Sequence, residues 1–122
     1  MNFDLTALIV DSADLESEST FWRRLLGGEL SETPTHHFLR VDGLPVIVIQ
    51  DAPGHIPPQW PDGTSQQMHL DFATDDPAGA ERRVLTAGGR RLRPADDAAA
   101  AGAQGSRVYA SPAGHPFCIR PA

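Results

Sequence analysis

Short apolar runs and helix-periodic stretches alternate along the 122 residues, in the same order twice. Leu5 to Val10 is apolar and β-branched, as a buried strand requires. Asp14 then caps a helix through Leu26 that lines up Leu15, Trp22, Leu25 and Leu26 on one stripe and stops at Gly27-Gly28. In the second half Met68 to Ala73 predicts a strand, Asp76 an N-cap and Pro77 the first helical position. Ala80, Val84 and Leu85 face inward on that helix, and Gly88-Gly89 closes it. Strand patterns follow in both halves: Glu29 to Glu32, His37 to Val41 and Pro45 to Gln50 in the first; Arg90 to Arg93, Arg107 to Ala110 and Pro116 to Arg120 in the second.

The two halves can be put in register, because each capping aspartate precedes its double glycine by a similar distance. The closing hairpins match too: Gly43-Leu44-Pro45-Val46-Ile47 parallels Gly114-His115-Pro116-Phe117-Cys118, a glycine turn feeding a proline and then a strand. There are 15 residues from Gly28 to Gly43 and 25 from Gly89 to Gly114, so the second half carries an insertion of about ten. It falls in Pro94 to Ser106, PADDAAAAGAQGS, whose small, polar composition predicts a mobile loop. The alanine run leaves a helical turn open as the alternative.

Between the halves, Asp51 to Thr64 holds four prolines and two glycines, which exclude a regular element. The expected organisation is one domain, 1–122, with module 1 at about 1–52, a linker at about 53–64 and module 2 at about 65–122. Each module is a strand, a helix and three more strands, giving an α+β fold of two βαβββ modules paired into an open, curved mixed sheet with a concave cleft.

Charge and composition narrow the partners. Ten Lys and Arg against sixteen Asp and Glu leave a net charge of −6, which repels phosphate backbones and anionic lipid; nucleic acid and membrane are therefore not expected partners. The apolar runs Ala7 to Val10 and Val46 to Ile49 are far shorter than the roughly 20 residues that span a bilayer, and MNFDLT lacks the features of an export signal. The lone cysteine, Cys118, excludes an internal disulfide and fits a reducing, cytoplasmic setting.

The segments ALIVDSADLESESTFWRRLLGGEL, IPPQWPDGTSQQMHLDFATDD and YASPAGHPFCIRP resemble the glyoxalase-like, bleomycin-resistance-like branch of the vicinal oxygen chelate superfamily, over nearly the whole chain. The resemblance implies paired βαβββ modules forming an open barrel, often in a homodimer, with a metal or small ligand in the concavity. It also implies metal ligands, usually His, Gln or Glu, at equivalent positions on the first and last strands of each module. Carried through the internal repeat, those positions are Ala7 and Ile47 in the first module and His69 and Cys118 in the second.

Ala and Ile offer no donor, and His69 with Cys118 gives two ligands where a zinc site needs at least three from the protein, so no metal or other cofactor is expected. A divalent metal is the alternative. Residues two apart on a strand share a face. His69 therefore brings Gln67 and Asp71 with it, Cys118 brings Arg120, and Ile47 brings Ile49, while Met68, Leu70, Phe72, Phe117, Ile119, Val46 and Val48 go to the core. The expected cleft has an apolar wall of Ala7, Ile9, Ile47 and Ile49 and a polar wall of His69, Asp71, Cys118 and Arg120, with Trp60 either over its mouth or packing the linker. Bland readings stand beside these: an Asp71–Arg120 ion pair, and Cys118 as a small buried hydrophobe.

The expected function is a metal-free small-molecule-binding protein of the sequestering or resistance type. The alternative is an enzyme of the superfamily, a lyase, isomerase or dioxygenase, either metal-dependent or using His69 polarised by Asp71 as a metal-free acid/base pair.

Overall fold

The computed structural model describes residues 1–2, 4–65, 68–98 and 105–122. The chain divides into two compact units, Met1–His55 and Ile56–Ala122. In the first, β1 (Ala7–Ser12), α1 (Leu15–Leu26), β2 (Glu29–Glu32), β3 (His36–Arg40) and β4 (Val46–Asp51) form a four-stranded sheet in the order β1-β4-β3-β2. The second repeats the plan with β5 (Leu70–Thr74), α2 (Pro77–Ala87), β6 (Arg90–Arg93), β7 (Arg107–Ala110) and β8 (Pro116–Pro121), ordered β5-β8-β7-β6. In each sheet the first and last strands pair in parallel and the others antiparallel, so the fold is α+β with two open, mixed sheets.

Both helices start where their caps place them. Asp14 accepts the Ser17 N–H at 3.2 Å and Asp76 accepts the Gly79 N–H at 3.0 Å, each satisfying one of the backbone donors a helix start leaves without a partner. The α1 stripe includes one residue the periodicity left out: Phe21 is fully buried edge-on to Trp22, with ring centroids 5.0 Å apart. Three expected core positions are not in the core. Leu5 and Met68 precede their strands and are exposed, Met68 at 86%, and Leu85 on α2 is 41% exposed.

Each helix is tied to the third strand of its unit by a buried polar link. In the first, Ser19 Oγ lies 2.7 Å from His37 Nδ1. In the second, Glu81 accepts Tyr109 Oη–H at 3.0 Å, Arg91 Nε–H at 3.0 Å and the Ala98 N–H at 2.8 Å, with Arg107 at 3.6 Å. Burial alone would raise the Glu81 pKa, but the hydrogen bonds from Arg91, Ala98 and Tyr109 outweigh it and the net direction is down. Tyr109 moves the other way, pushed up to about 12 by burial and by Glu81.

These links identify the helix-covered face of each sheet, and there one expectation needs correction. His37 and Leu39 stand opposite Ile49 and Ile47, so Ile47 and Ile49 lie under α1, buried, and not on the open face. Ala7 and Ile9 are paired with Val46 and Val48 instead, and Ile9 is 62% exposed. The cause is in the hairpin turns. Leu44 N–H closes its turn on Val41 C=O, and Gly114 N–H closes the matching turn on Ser111 C=O, so Leu44, not Gly43, is the counterpart of Gly114. The glycine occupies the third position of one turn and the fourth of the other. Matching glycine to glycine slips the strand by one residue, and a one-residue slip exchanges its faces. The counterpart of Cys118 is therefore Val48 rather than Ile47.

The insertion is where the repeat placed it: residues 33–35 join β2 to β3, and 94–106 join β6 to β7. Its alanine-rich stretch 99–104, expected as a mobile loop or helical turn, lies outside the described residues, as does Gln67. Between β4 and β5 no regular element occurs among the described residues. The part of that connection in the second unit is held to it by an Asp62–Arg93 ion pair and by Trp60.

Candidate functional site

In the second unit the faces are as the sequence predicts. Leu70, Phe72, Phe117 and Ile119 alternate with His69, Asp71, Cys118 and Arg120, and the pairing of Asp71 with Cys118 and of Phe117 with Tyr109 sets the first group under α2 and the second on the opposite face. His69 sits one residue before β5, so its ring is positioned less by the ladder than by its neighbours. Trp60 stacks on it, with centroids 5.2 Å apart and planes 26° from parallel. Such a stack contributes about 0.5–1.5 kcal/mol beyond area burial. It brings the one large aromatic of the connecting segment onto the polar face.

Asp71 lies between His69 and Arg120. His69 Nε2 is 3.7 Å from Asp71 Oδ1, and Arg120 Nε is 3.9 Å from Asp71 Oδ2. All three side chains reach solvent, where pairs of this kind contribute about 0–1 kcal/mol. A separation of 3.7 Å also exceeds the roughly 2.6–3.2 Å over which a carboxylate orients an imidazole for proton transfer. Cys118, below them, is buried. Burial pushes its thiol pKa up, the Asp71 carboxylate adds to the rise, and Ser106 opposes it, so at neutral pH the sulfur stays a thiol.

Donor atoms of His69, Asp71 and Cys118 all lie within 4.8 Å of one another. The two-ligand count from sequence thus leaves out Asp71, whose place directly opposite Cys118 is set by the parallel β5–β8 register. Three mixed N, O and S donors fit the count and softness that zinc accepts; they do not fit magnesium or manganese, which take oxygen-rich sets. The positions of the first sheet that correspond to His69, Asp71 and Cys118 are Ala7, Ile9 and Val48, whose side chains carry no metal-binding atom; farther along the same face Gln50 Nε2 donates to Asp11 at 3.4 Å and lies by its Oε1 3.3 Å from His36 Nε2.

A family model described as a glyoxalase-like domain matches residues 7–120. The chain belongs to that family. No curated protein matches it significantly. Among solved structures, this glyoxalase-like domain is similar to a glyoxalase-related enzyme from Fulvimarina pelagi (22% identity, 98% of this chain and 88% of that one, TM-score 0.70). It is also similar to a glyoxalase/bleomycin resistance protein/dioxygenase family enzyme from Burkholderia phytofirmans (15% identity, 98% of both chains, TM-score 0.71). A third is a mutant of the genomically encoded fosfomycin resistance protein of Listeria monocytogenes, complexed with Mn(II) and 1S,2S-dihydroxypropylphosphonic acid (16% identity, 98% and 90%, TM-score 0.66). At these identities the likeness is one of fold, and activity has to be argued from the side chains.

Proposed function

We propose that this glyoxalase-like domain binds a small organic molecule on the open face of its second sheet, with no resident metal on that face. The observation that carries the reading is the Trp60–His69 stack set beside the Asp71–Arg120 pair. An aromatic surface next to a donor and an acceptor, both exposed, suits a mostly apolar ligand with one or two oriented polar groups. The Listeria protein's Mn(II) complex supports the same fold as a small-molecule site. The mixed N, O and S donor set of this chain argues against manganese here. The 3.7 Å gap between His69 and Asp71 favours binding over proton transfer as the role of that pair. We place the protein in a reducing cytoplasm, where Cys118 stays free, and as a homodimer, for which the exposed Ile9 supplies apolar surface.

A second reading rests on one specific observation: His69, Asp71 and Cys118 are close enough to share a zinc ion, which would supply Lewis-acid chemistry. Native mass spectrometry of protein purified without chelator separates the two. The absence of any metal that depends on His69, with or without an organic adduct that is lost in His69→Ala, is the expected result. A stoichiometric metal lost in His69→Ala establishes the second reading in its place.

A further inference from the structure

On the helix-covered side of the first sheet, at the edge between α1 and β2, a second group of donors converges. A carboxylate oxygen of Glu16, a carboxylate oxygen of Glu32 and a ring nitrogen of His37 lie within 4.8 Å of one another. Glu16 comes from the first turn of α1, and Glu32 stands opposite His37 in the β2–β3 ladder, so secondary structure fixes all three Cα positions.

His37 is only 5% exposed, and Ser19 Oγ engages its Nδ1 at 2.7 Å. The Ser19 hydroxyl also lies 3.4 Å from the Glu16 carbonyl oxygen; when its proton goes there, the serine oxygen is left to accept the Nδ1–H. In that tautomer Nε2 carries a lone pair. Among the described residues Nε2 makes no hydrogen bond. A histidine held through one ring nitrogen with the other left as a lone-pair donor is the arrangement metal-ligating histidines adopt. The two carboxylates, both exposed, face each other, and among the described residues no arginine pairs with either. Like charges set this close repel unless a cation joins them.

We infer that Glu16, Glu32 and His37 form a site for a zinc-class divalent cation, on a different unit from the His69 face. Three protein ligands, one nitrogen and two oxygens, leave a tetrahedral ion one position for water. Ser19 is a positioning residue that fixes the imidazole. The site is independent of the small-molecule reading above and survives its failure.

The test is calorimetric titration of the full chain with Zn²⁺ alone, with Co²⁺ visible absorption reporting coordination number. The carboxylates are exposed, so Glu16→Gln/Glu32→Gln should fold as the parent does. Its zinc affinity should fall by tenfold or more and its tetrahedral Co²⁺ bands should disappear, while His69→Ala keeps both. Ser19→Ala should weaken zinc by about 10–100-fold, as loss of such an orienting partner does. Zinc affinity unchanged in the double Gln variant, zinc binding lost only in His69→Ala, or no zinc binding by the parent at millimolar concentration would each overturn the inference.

Discussion

Glu81→Gln should destabilise the protein by about 3–5 kcal/mol, the range for removing one partner of a buried ion pair. Glu81 is 2% exposed and is the common acceptor for Arg91, Tyr109 and the Ala98 N–H, with Arg107 alongside. Neutralising it removes the buried carboxylate beside the Arg107 guanidinium, whose Nε already lacks a partner and whose Nη2 is left with the Asp96 and Pro94 carbonyls and the exposed Asp96 carboxylate. Against the 5–15 kcal/mol that holds a typical domain folded, that is a large share. Urea unfolding of both proteins measures it, and a loss below about 1 kcal/mol would mean that Glu81 is not the organising acceptor of the second unit. The pH dependence has a definite sign. The folded pKa lies below the ordinary value of 4.5, so the stabilisation is present above the unfolded carboxylate's range and is lost as pH falls through the folded value. Glu81→Gln should therefore flatten the acid limb of the stability profile below about pH 4.5, leaving the difference near neutrality unchanged.

Phe117→Ala should cost a similar amount, about 3–5 kcal/mol, by a different route. Phe117 is fully buried on β8, edge-on to Phe72 at 6.1 Å and tilted against Tyr109 at 5.8 Å. Truncation removes apolar contacts and leaves a cavity that a strand flanked on both sides cannot collapse to fill. Because Phe117 and Glu81 share Tyr109, the double variant should depart from additivity by about 0.5–3 kcal/mol, readable in the same urea series. Strict additivity would show that the ring contact and the Tyr109 hydrogen bond act independently.

The helices were legible in the sequence because their signals are local. Asp14 and Asp76 cap, Gly27 and Gly88 terminate, and the interval between is set by helical periodicity. The polar face of the second unit was legible because His69, Asp71, Cys118 and Arg120 obey strand parity once one of them is placed. The first unit's open face was not, since its parity was carried from the second by matching two glycines that occupy different turn positions; Ile47 and Ile49 went to the wrong side as a result. Only the turn's closing hydrogen bond carries that information, and no residue type encodes it. The link between Ser19 and His37, and the approach of Glu16 and Glu32 to it, depend on how α1 crosses its sheet, which a single sequence leaves open. The role of Asp71 as a third donor depends likewise on the β5–β8 register.

The two tryptophans supply the most direct test of where a ligand binds. Trp22 is buried and donates its indole N–H to Glu18 at 2.9 Å, whereas Trp60 lies against His69 on the open face. In ¹⁵N-labelled protein each gives its own indole signal, so one spectrum holds both a reporter and an internal reference. Titrated with a panel of small aromatic carboxylates, amides and phosphonates, binders should shift the Trp60 indole together with the Asp71, Cys118 and Arg120 amides, leave Trp22 in place, and lose these shifts in His69→Ala. Ligand-induced shifts that bypass Trp60 and the β5–β8 face, or that persist unchanged in His69→Ala, would contradict a binding site on that face.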